Sequence, residues 1–242
     1  MTTAAVPEVA MVLAAGRGER LRPLTDTLPK PLIEVGGITM LDRMLDSLSA
    51  AGVCRAVVNS WYLADQIEAR LAARRAPAIT ISREDTLLET GGGVAKALKY
   101  FGDSPFFVAN SDIVILDGLE PAARRLAQAW RDHDTDALLL LQPTARAFGY
   151  SGAGDFTMSD DGALERRGTR DVAPYVFAGL QILHPRLFTD CPDGAFSLNR
   201  LYDRAFEVGR LRGALHDGEW LHIGTRDALD RVEPYLRDLA RP

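Results

Sequence analysis

The chain has 242 residues, of which 47% are hydrophobic and 25% charged, enough to form one sizeable globular core. The formal net charge of -5 argues against a general nucleic-acid-binding protein, because such proteins need a basic face to displace counterions. Cys54 and Cys191 are far apart in sequence, which suggests neither a disulfide framework nor a zinc site. The apolar stretch 9–15 is too short for a signal peptide or a membrane span, so we expect a cytoplasmic protein.

A continuous apolar run at residues 9–15 predicts a strand that is covered on both faces, as in a parallel sheet. Apolar residues at helical spacing then predict a helix that ends before Gly52, and a β-rich stretch follows at 55–59. The same patterns predict helices at 63–75, 93–101 and 119–131 and strands at 78–82, 106–109 and 137–141. This alternation predicts an α/β fold with a doubly wound, mostly parallel sheet and helices on both faces.

The alternation of predicted helices and strands ends after Pro143. Segments 155–158 and 163–167 flank a Ser-Asp-Asp-Gly turn, which predicts a small β-hairpin over the sheet edge on the substrate side. A strand at 176–183 and closing helices at 198–208 and 225–239 complete the pattern. No linker or repeat interrupts the chain, so we expect one domain over residues 1–242, with a core at about 9–142 and a smaller substrate-side part at about 143–228.

The most informative segment follows the first strand. Residues 16–25 have the sequence Gly-Arg-Gly-Glu-Arg-Leu-Arg-Pro-Leu-Thr, and Pro-Lys-Pro follows at 29–31. Two glycines let bare backbone N–H groups approach a phosphate, and four cations concentrate positive charge there: Arg17, Arg20, Arg22 and Lys30. The glycines alone would also suit a solvated basic loop, because the dinucleotide fingerprint and the P-loop are both incomplete.

The full string resembles the signature of the sugar-phosphate nucleotidyltransferases, Gly-x-Gly-x-Arg-Leu-x-Pro-Leu-Thr with a downstream Pro-Lys-Pro. The resemblance extends from about residue 9 to about residue 229. It implies a Rossmann-like, GT-A-like fold in which residues 9–142 bind an NTP and residues 143–228 face a sugar 1-phosphate. It also implies that Gly16, Gly18 and Glu19 hold the nucleotide, and that Arg20 and Lys30 bind its phosphates and act in catalysis.

This chemistry is consistent with the residues present. A sugar 1-phosphate is already an ionised nucleophile, so attack on the α-phosphorus of an NTP needs no general base. The obstacle is the repulsion between two polyanions, which cations and a divalent metal reduce. The resemblance implies Mg²⁺ as cofactor, and the net charge and the short apolar stretch predict no nucleic-acid or membrane partner. The sequence leaves open whether the chain forms a homodimer.

A candidate metal ligand follows the predicted strand 106–109, where the sequence is Asn110-Ser111-Asp112. Magnesium prefers carboxylate oxygen, and ligands gather at the carboxyl ends of strands in open α/β sheets. An isolated Asn-x-Asp would also suit an ordinary polar loop. The resemblance implies that Asp112 binds Mg²⁺ and that Asn110 contacts the sugar phosphate.

The family's second metal ligand is an Asp in the pattern Trp-x-Asp-x-Gly-Thr. This chain has the frame from Trp220 to Thr225 but carries His222 in place of the acid. Imidazole is a poor ligand for magnesium and suits transition metals better. Four possibilities for His222 stay open. It could ligate the metal directly, ligate it through a water, contact a phosphate as an imidazolium, or simply fill the position.

Three glycines, at 91–93, precede an apolar helix. Free N–H groups at a helix start can hold a flat base, and the resemblance implies that Gly91 and Gly92 lie beside the nucleobase. The alternative is a plain helix start with Thr90 as N-cap. Asp155 aligns with a sugar-contacting residue of the family, and an ordinary turn residue is the equally plausible alternative.

Within the family, the short chain most resembles the branch that transfers UMP to N-acetylmuramate 1-phosphate in cell-wall recycling. Guanylyl transfer to mannose 1-phosphate is the alternative. A third hypothesis is a non-catalytic nucleotide-binding regulatory subunit, which the loss of the acid at His222 favours and which intact Arg20, Lys30 and Asp112 oppose.

Overall fold

The computed structural model describes residues 6–239. The strands are β1 Val9–Leu13, β2 Glu34–Val35, β3 Ile38–Thr39, β4 Arg55–Ser60, β5 Ala78–Arg83, β6 Phe106–Asn110, β7 Ile113–Leu116, β8 Ala137–Pro143, β9 Phe156–Met158, β10 Leu164–Arg166, β11 Tyr175–Leu183, β12 Leu211–Leu215 and β13 Glu219–His222. The helices are α1 Met40–Ala51, α2 Ala64–Leu71, α3 Glu89–Ala97, α4 Ala122–Ala129, α5 Asn199–Glu207 and α6 Arg226–Leu239.

The main sheet is mixed but mostly parallel. Strands β5, β4, β1 and β6 lie side by side and run in the same direction. Strand β11 runs antiparallel to both β6 and β8, and β12 extends the sheet parallel to β8. The chain therefore has the predicted α/β fold with a mostly parallel, Rossmann-like sheet.

Side chains of β1 alternate between two hydrophobic cores. Ala10 and Val12 face the core that also contains the apolar residues of α1, α2 and α4. Val9 and Met11 face the core that contains residues of α3 and α5. Because successive strand residues point to opposite faces, this arrangement buries both sides of the sheet. The prediction of helices on both faces is confirmed.

The predicted hairpin is formed by β9 and β10, and β9 joins the sheet through pairing of Phe156 with Tyr175 of β11. The sequence did not predict β7 and β13, which pair with each other outside the main sheet. This small sheet packs on α6 through Val114, Leu221 and Val232. No helix within residues 6–239 is long and apolar enough to cross a membrane.

Two predicted helix starts differ from the structure. Helix α3 begins at Glu89 rather than at residue 93, because the glycines 91–93 lie inside the helix and are buried against neighbouring chain. Helix α4 begins only at Ala122, since Pro121 precedes it in an extended conformation. The shift in α3 changes which backbone groups face the cleft described below.

Candidate active site

A cleft of about 680 Å³ lies at the carboxyl ends of β1, β4 and β6. This is the edge of an open α/β sheet where ligands bind, because the loops that follow parallel strands converge there. The register pairs Leu13 with Asn110, and the Ser111 hydroxyl donates to the Leu13 carbonyl at 2.6 Å. Of the predicted site residues, the cleft is lined by Gly16, Gly18, Glu19, Arg20, Lys30, Asn110 and Asp112.

Gly18 fixes the shape of the glycine-rich loop. Its φ is +65°, in the left-handed region that residues with a Cβ rarely adopt. A Cβ built there would lie 2.9 Å from Cβ of Lys30 and 3.0 Å from Cγ2 of Thr25. The Thr25 hydroxyl also donates to the Gly18 carbonyl at 2.9 Å. The loop therefore folds back onto Lys30, and only glycine fits at position 18.

Lys30 and Asp112 form an ion pair in the cleft. The Nζ atom of Lys30 donates to Oδ2 of Asp112 at 2.7 Å. The Lys30 side chain is only 8% exposed, whereas 40% of the Asp112 side chain is accessible. A buried ammonium is stable only with a partner of opposite charge, and Asp112 supplies it. Asp112 remains open enough to meet a ligand in the cleft.

The predicted cluster of four cations is smaller in the structure. Arg17 also lines the cleft, but it lies over the ring of Trp61 and pairs loosely with Glu19 at 3.7 Å. Arg22 is absent from the cleft lining and pairs with Asp26 at 3.2 Å. Arg20 lines the cleft, and no carboxylate of the described residues lies within ion-pair distance of it. Arg20 is therefore a cleft cation without a carboxylate partner among the described residues, and Lys30 is much more deeply buried than Arg17 or Arg22.

His222 is not among the residues that line the cleft, although Gly224 is. A Cβ at Gly224 would lie 2.5 Å from Nε2 of His222 and 3.3 Å from Nη1 of Arg20, so the glycine leaves room for both groups. Burial lowers the pKa of His222, nearby Lys30 and Arg20 lower it further, and Asp112 opposes them. This direction of the pKa shift disfavours the hypothesis of an imidazolium that binds phosphate.

The expectation of free N–H groups at Gly91 and Gly92 is wrong. Both groups donate to the carbonyl oxygen of Phe196, at 2.8 and 3.1 Å. A Cβ at either glycine would collide with the segment 194–196, so these glycines serve close packing of that segment. Thr90 is not an N-cap either, because its hydroxyl accepts the backbone N–H of Leu198. Glu89 and Thr90 line the cleft instead.

Asn110 and Asp155 occupy different environments. Asn110 lines the cleft, and its Nδ2 lies 3.1 Å from the position of a Cβ on Gly179. Asp155 is not in the cleft lining, and its Oδ2 accepts the backbone N–H of Phe177 at 2.9 Å. The structure therefore places Asn110 in the same cleft as Arg20 and Lys30, and it gives Asp155 a contact that anchors the start of β11.

Sequence reasoning missed several lining residues, among them Asn59, Ser111 and Ser197. Asn59 and Ser111 could have been found, because both are polar residues at or just after the carboxyl end of a buried parallel strand. Ser197 comes from a loop between β11 and α5, and its local sequence carries no comparable signal.

Residues 9–166 match the family model of nucleotidyl transferases, which is more than half of the chain. The chain belongs to the nucleotidyl transferase family. A family member from Caulobacter vibrioides, named N-acetylmuramate alpha-1-phosphate uridylyltransferase, is 43% identical over 96% of this chain and 98% of its own length. A protein of the same name from Neisseria meningitidis is 35% identical over 89% of this chain and 93% of its own.

More distant nucleotidyl transferases are also similar. A mannose-1-phosphate guanyltransferase from Aspergillus fumigatus is 30% identical, and the match spans 96% of this chain but 65% of that protein. The solved structure of an inositol-1-phosphate CTP transferase from T. maritima has a TM-score of 0.80 and 17% identity, covering 96% of each chain. At 17% identity, this structural similarity supports the shared fold alone.

Proposed function

We propose that this nucleotidyl transferase transfers UMP from UTP to the 1-phosphate of N-acetylmuramate, giving UDP-N-acetylmuramate and pyrophosphate. The observation that carries the reaction type is the convergence of the glycine-rich loop, Arg20, Lys30 and Asp112 on one cleft. The choice of UTP and of this sugar phosphate is supported by two relatives with that name, whose matches span nearly their full length. We also propose a cytoplasmic location and a role in cell-wall recycling.

The chemistry follows from the charges in the cleft. An oxygen of the sugar 1-phosphate attacks the α-phosphorus, a new P–O bond forms, and the bond from the α-phosphorus to the bridging oxygen of pyrophosphate breaks. No proton has to move, so the main requirement is to offset the repulsion between the anions. We assign this role to Arg20 and Lys30, which would bind the phosphates. Gly16, Gly18 and Glu19 would shape the loop around them.

The residues of the cleft fit one magnesium ion through Asp112. Mg²⁺ is commonly held by one or two carboxylates together with substrate phosphates, and 40% of the Asp112 side chain is accessible. Among residues 6–239 no group of three or more His, Cys, Asp or Glu side chains could hold a metal. When bound, the ion would neutralise charge on the phosphate oxygens.

His222 does not fit as a second magnesium ligand. Its Nδ1 is buried and has no hydrogen-bond partner in the described part of the chain, and imidazole suits softer metals. Packing against Trp220 and Tyr150, with ring centroids 5.3 and 5.8 Å away, holds the ring in place. We propose that His222 fills the site of the family's second acid without ligating Mg²⁺.

Mannose-1-phosphate guanylyl transfer is the second candidate, since a relative with that activity in its name is 30% identical to the chain. The test is pyrophosphate release with each of the four common NTPs and a panel of sugar 1-phosphates, with Mg²⁺ and after chelation. Release with UTP and N-acetylmuramate 1-phosphate supports the proposal, and preferential release with GTP and mannose 1-phosphate replaces it. Binding of NTP without any release would indicate a non-catalytic nucleotide-binding subunit.

A further inference from the structure

Two buried polar side chains stand at the ends of adjacent strands, and one of them, Asn59, lines the cleft. Asn59 lies in β4 and is 2% exposed, and Glu84 follows β5 and is 4% exposed. Nδ2 of Asn59 donates to Oε1 of Glu84 at 2.7 Å. No Lys, Arg or His of the described residues forms an ion pair with Glu84. A carboxyl group buried in this way is costly unless its hydrogen bonds are satisfied, so its partners matter.

The pair links two separate backbone segments of the cleft. Oδ1 of Asn59 accepts the N–H of Ala14, the first residue of the glycine-rich loop, at 2.7 Å. Oε2 of Glu84 accepts the N–H of Leu88 at 2.9 Å, directly before α3. The orientation of the Asn59 amide is fixed, because one neighbour is a donor and the other an acceptor. A continuous chain of three hydrogen bonds therefore joins the phosphate side to the opposite wall.

Two further observations show that the surrounding chain is arranged around this pair. A Cβ on Gly93 would lie 2.9 Å from Nδ2 of Asn59 and 3.0 Å from Oε1 of Glu84, so α3 can approach only with glycine there. Glu89, which lines the cleft, has a φ of +58°. Such a backbone persists only where its surroundings hold it, and the bond from Leu88 to Glu84 holds the preceding residue.

We propose that Asn59 and Glu84 are positioning residues that set the width of the nucleotide subsite. They act through the backbone at Ala14 and Leu88, so a mismatch between them moves the two walls that enclose the NTP. The inference rests on the proposed function only in taking a nucleoside triphosphate as the ligand of this cleft. It predicts that complementarity between the two side chains, rather than either side chain alone, determines NTP affinity.

A donor and acceptor swap tests this. Asn59→Asp sets two carboxyl groups against each other, and Glu84→Gln sets one N–H against another in either amide orientation. In the double variant the new amide donates to the new carboxylate, both backbone N–H groups keep an acceptor, and the net charge is unchanged. The exposed Glu207→Gln is the control for loss of a carboxylate. The probe is UTP with Mg²⁺, with Kd measured by calorimetry below each variant's unfolding temperature.

We expect each single variant to bind UTP at least about tenfold more weakly, the size of effect that an unsatisfied buried group produces. The double variant should return to within about threefold of the wild type, and the KM for the sugar 1-phosphate should change little in all variants. An unchanged Kd in folded single variants would overturn the inference, as would a double variant as weak as the singles.

If a single variant fails to fold, Gly93→Ala supplies the test, because its Cβ would wedge against the pair. Weaker UTP binding in this variant supports the inference, and wild-type affinity overturns it. Pyrophosphate release by the wild type is measured in parallel. If the wild type binds UTP but releases no pyrophosphate, the proposed function is refuted, and the Kd values of the swap variants still test the inference. If the wild type turns over normally and the variants bind UTP with unaltered affinity, only the inference is refuted.

Discussion

The ammonium of Lys30 and the carboxylate of Asp112 are 2.7 Å apart, although 82 residues separate them in the chain. Lys30 is fixed by a loop that follows β1, and Asp112 by the end of β6, so the adjacency of β1 and β6 creates the pair. The proposed mechanism uses each group separately, one for phosphate and one for metal. The pair thus holds the Lys30 side chain in place until substrate phosphates compete for it.

Lys30→Ala should lower turnover strongly without unfolding the protein. Removal of one preorganised donor aimed at developing negative charge, as in an oxyanion hole, typically costs about 10² to 10³ in rate, and we expect a loss of that order here. The measurement is kcat for pyrophosphate release, with circular dichroism to confirm the fold. Lys99→Ala is the matched control, because Lys99 is exposed and lies over the ring of Tyr100 outside the cleft. Equal turnover in the two variants would remove Lys30 from the mechanism.

Asp112→Asn should weaken metal binding more than nucleotide binding. The amide is nearly the same size as the carboxylate but lacks the charge that a divalent ion prefers. We expect the Mg²⁺ concentration for half-maximal turnover to rise, and Mn²⁺ bound in the presence of UTP, measured by electron paramagnetic resonance, to fall. The exposed Asp160→Asn should behave as the wild type. Undiminished Mn²⁺ binding would show that another residue holds the ion.

Two glycines of the same loop should respond differently to alanine. Gly18→Ala forces a Cβ into the left-handed region and against Lys30, so we expect a loss of about 1 to 2 kcal/mol in the free energy of unfolding. Gly16→Ala should leave this free energy nearly unchanged, because a Cβ there meets nothing within 4 Å. Urea unfolding measures both. A stable Gly18→Ala variant would contradict the described loop conformation.

Stability should fall as the pH is lowered below about 6.5, in part because of His216. Burial lowers the pKa of His216 from its ordinary value of 6.5, and the carbonyls of Glu219 and Leu116 together with Asp217 and Asp117 offset this only partly. The unfolded chain therefore takes up a proton before the folded chain does, and the free energy of unfolding decreases as the pH falls from 6.5 towards the folded pKa.

His216→Gln should reduce this dependence, measured as the difference in unfolding free energy between pH 7.5 and pH 5.5. His133→Gln is the control, since 80% of the His133 side chain is exposed. If the two variants showed the same pH dependence, burial of His216 would not explain the effect.

The sequence predicted most of the fold because apolar periodicity marks long buried elements such as β1 and α1. It missed β7 and β13, whose four residues each are too few for a periodic signal. The loop containing Gly18 and Lys30 could be predicted because it is contiguous and depends on few residue types. These predictions concern short segments, in which residues that are neighbours in sequence are also neighbours in space.

Contacts between distant segments could not be predicted in this way. The N–H groups of Gly91 and Gly92 looked free because their acceptor, the Phe196 carbonyl, lies more than a hundred residues away. The same holds for Asn59 and Glu84, whose meeting depends on the pairing of β4 with β5. Such contacts depend on the order of strands in the sheet and on where the long loops pack, and a short sequence motif specifies neither.

The most direct test of the proposed reaction uses UTP labelled with ³²P at either the α or the γ position, together with N-acetylmuramate 1-phosphate and Mg²⁺. We predict that the α label appears in the UDP-sugar and the γ label in pyrophosphate, in equal amounts. Transfer of the γ label to the sugar or to inorganic phosphate, or an α label that stays in UTP, would contradict attack at the α-phosphorus.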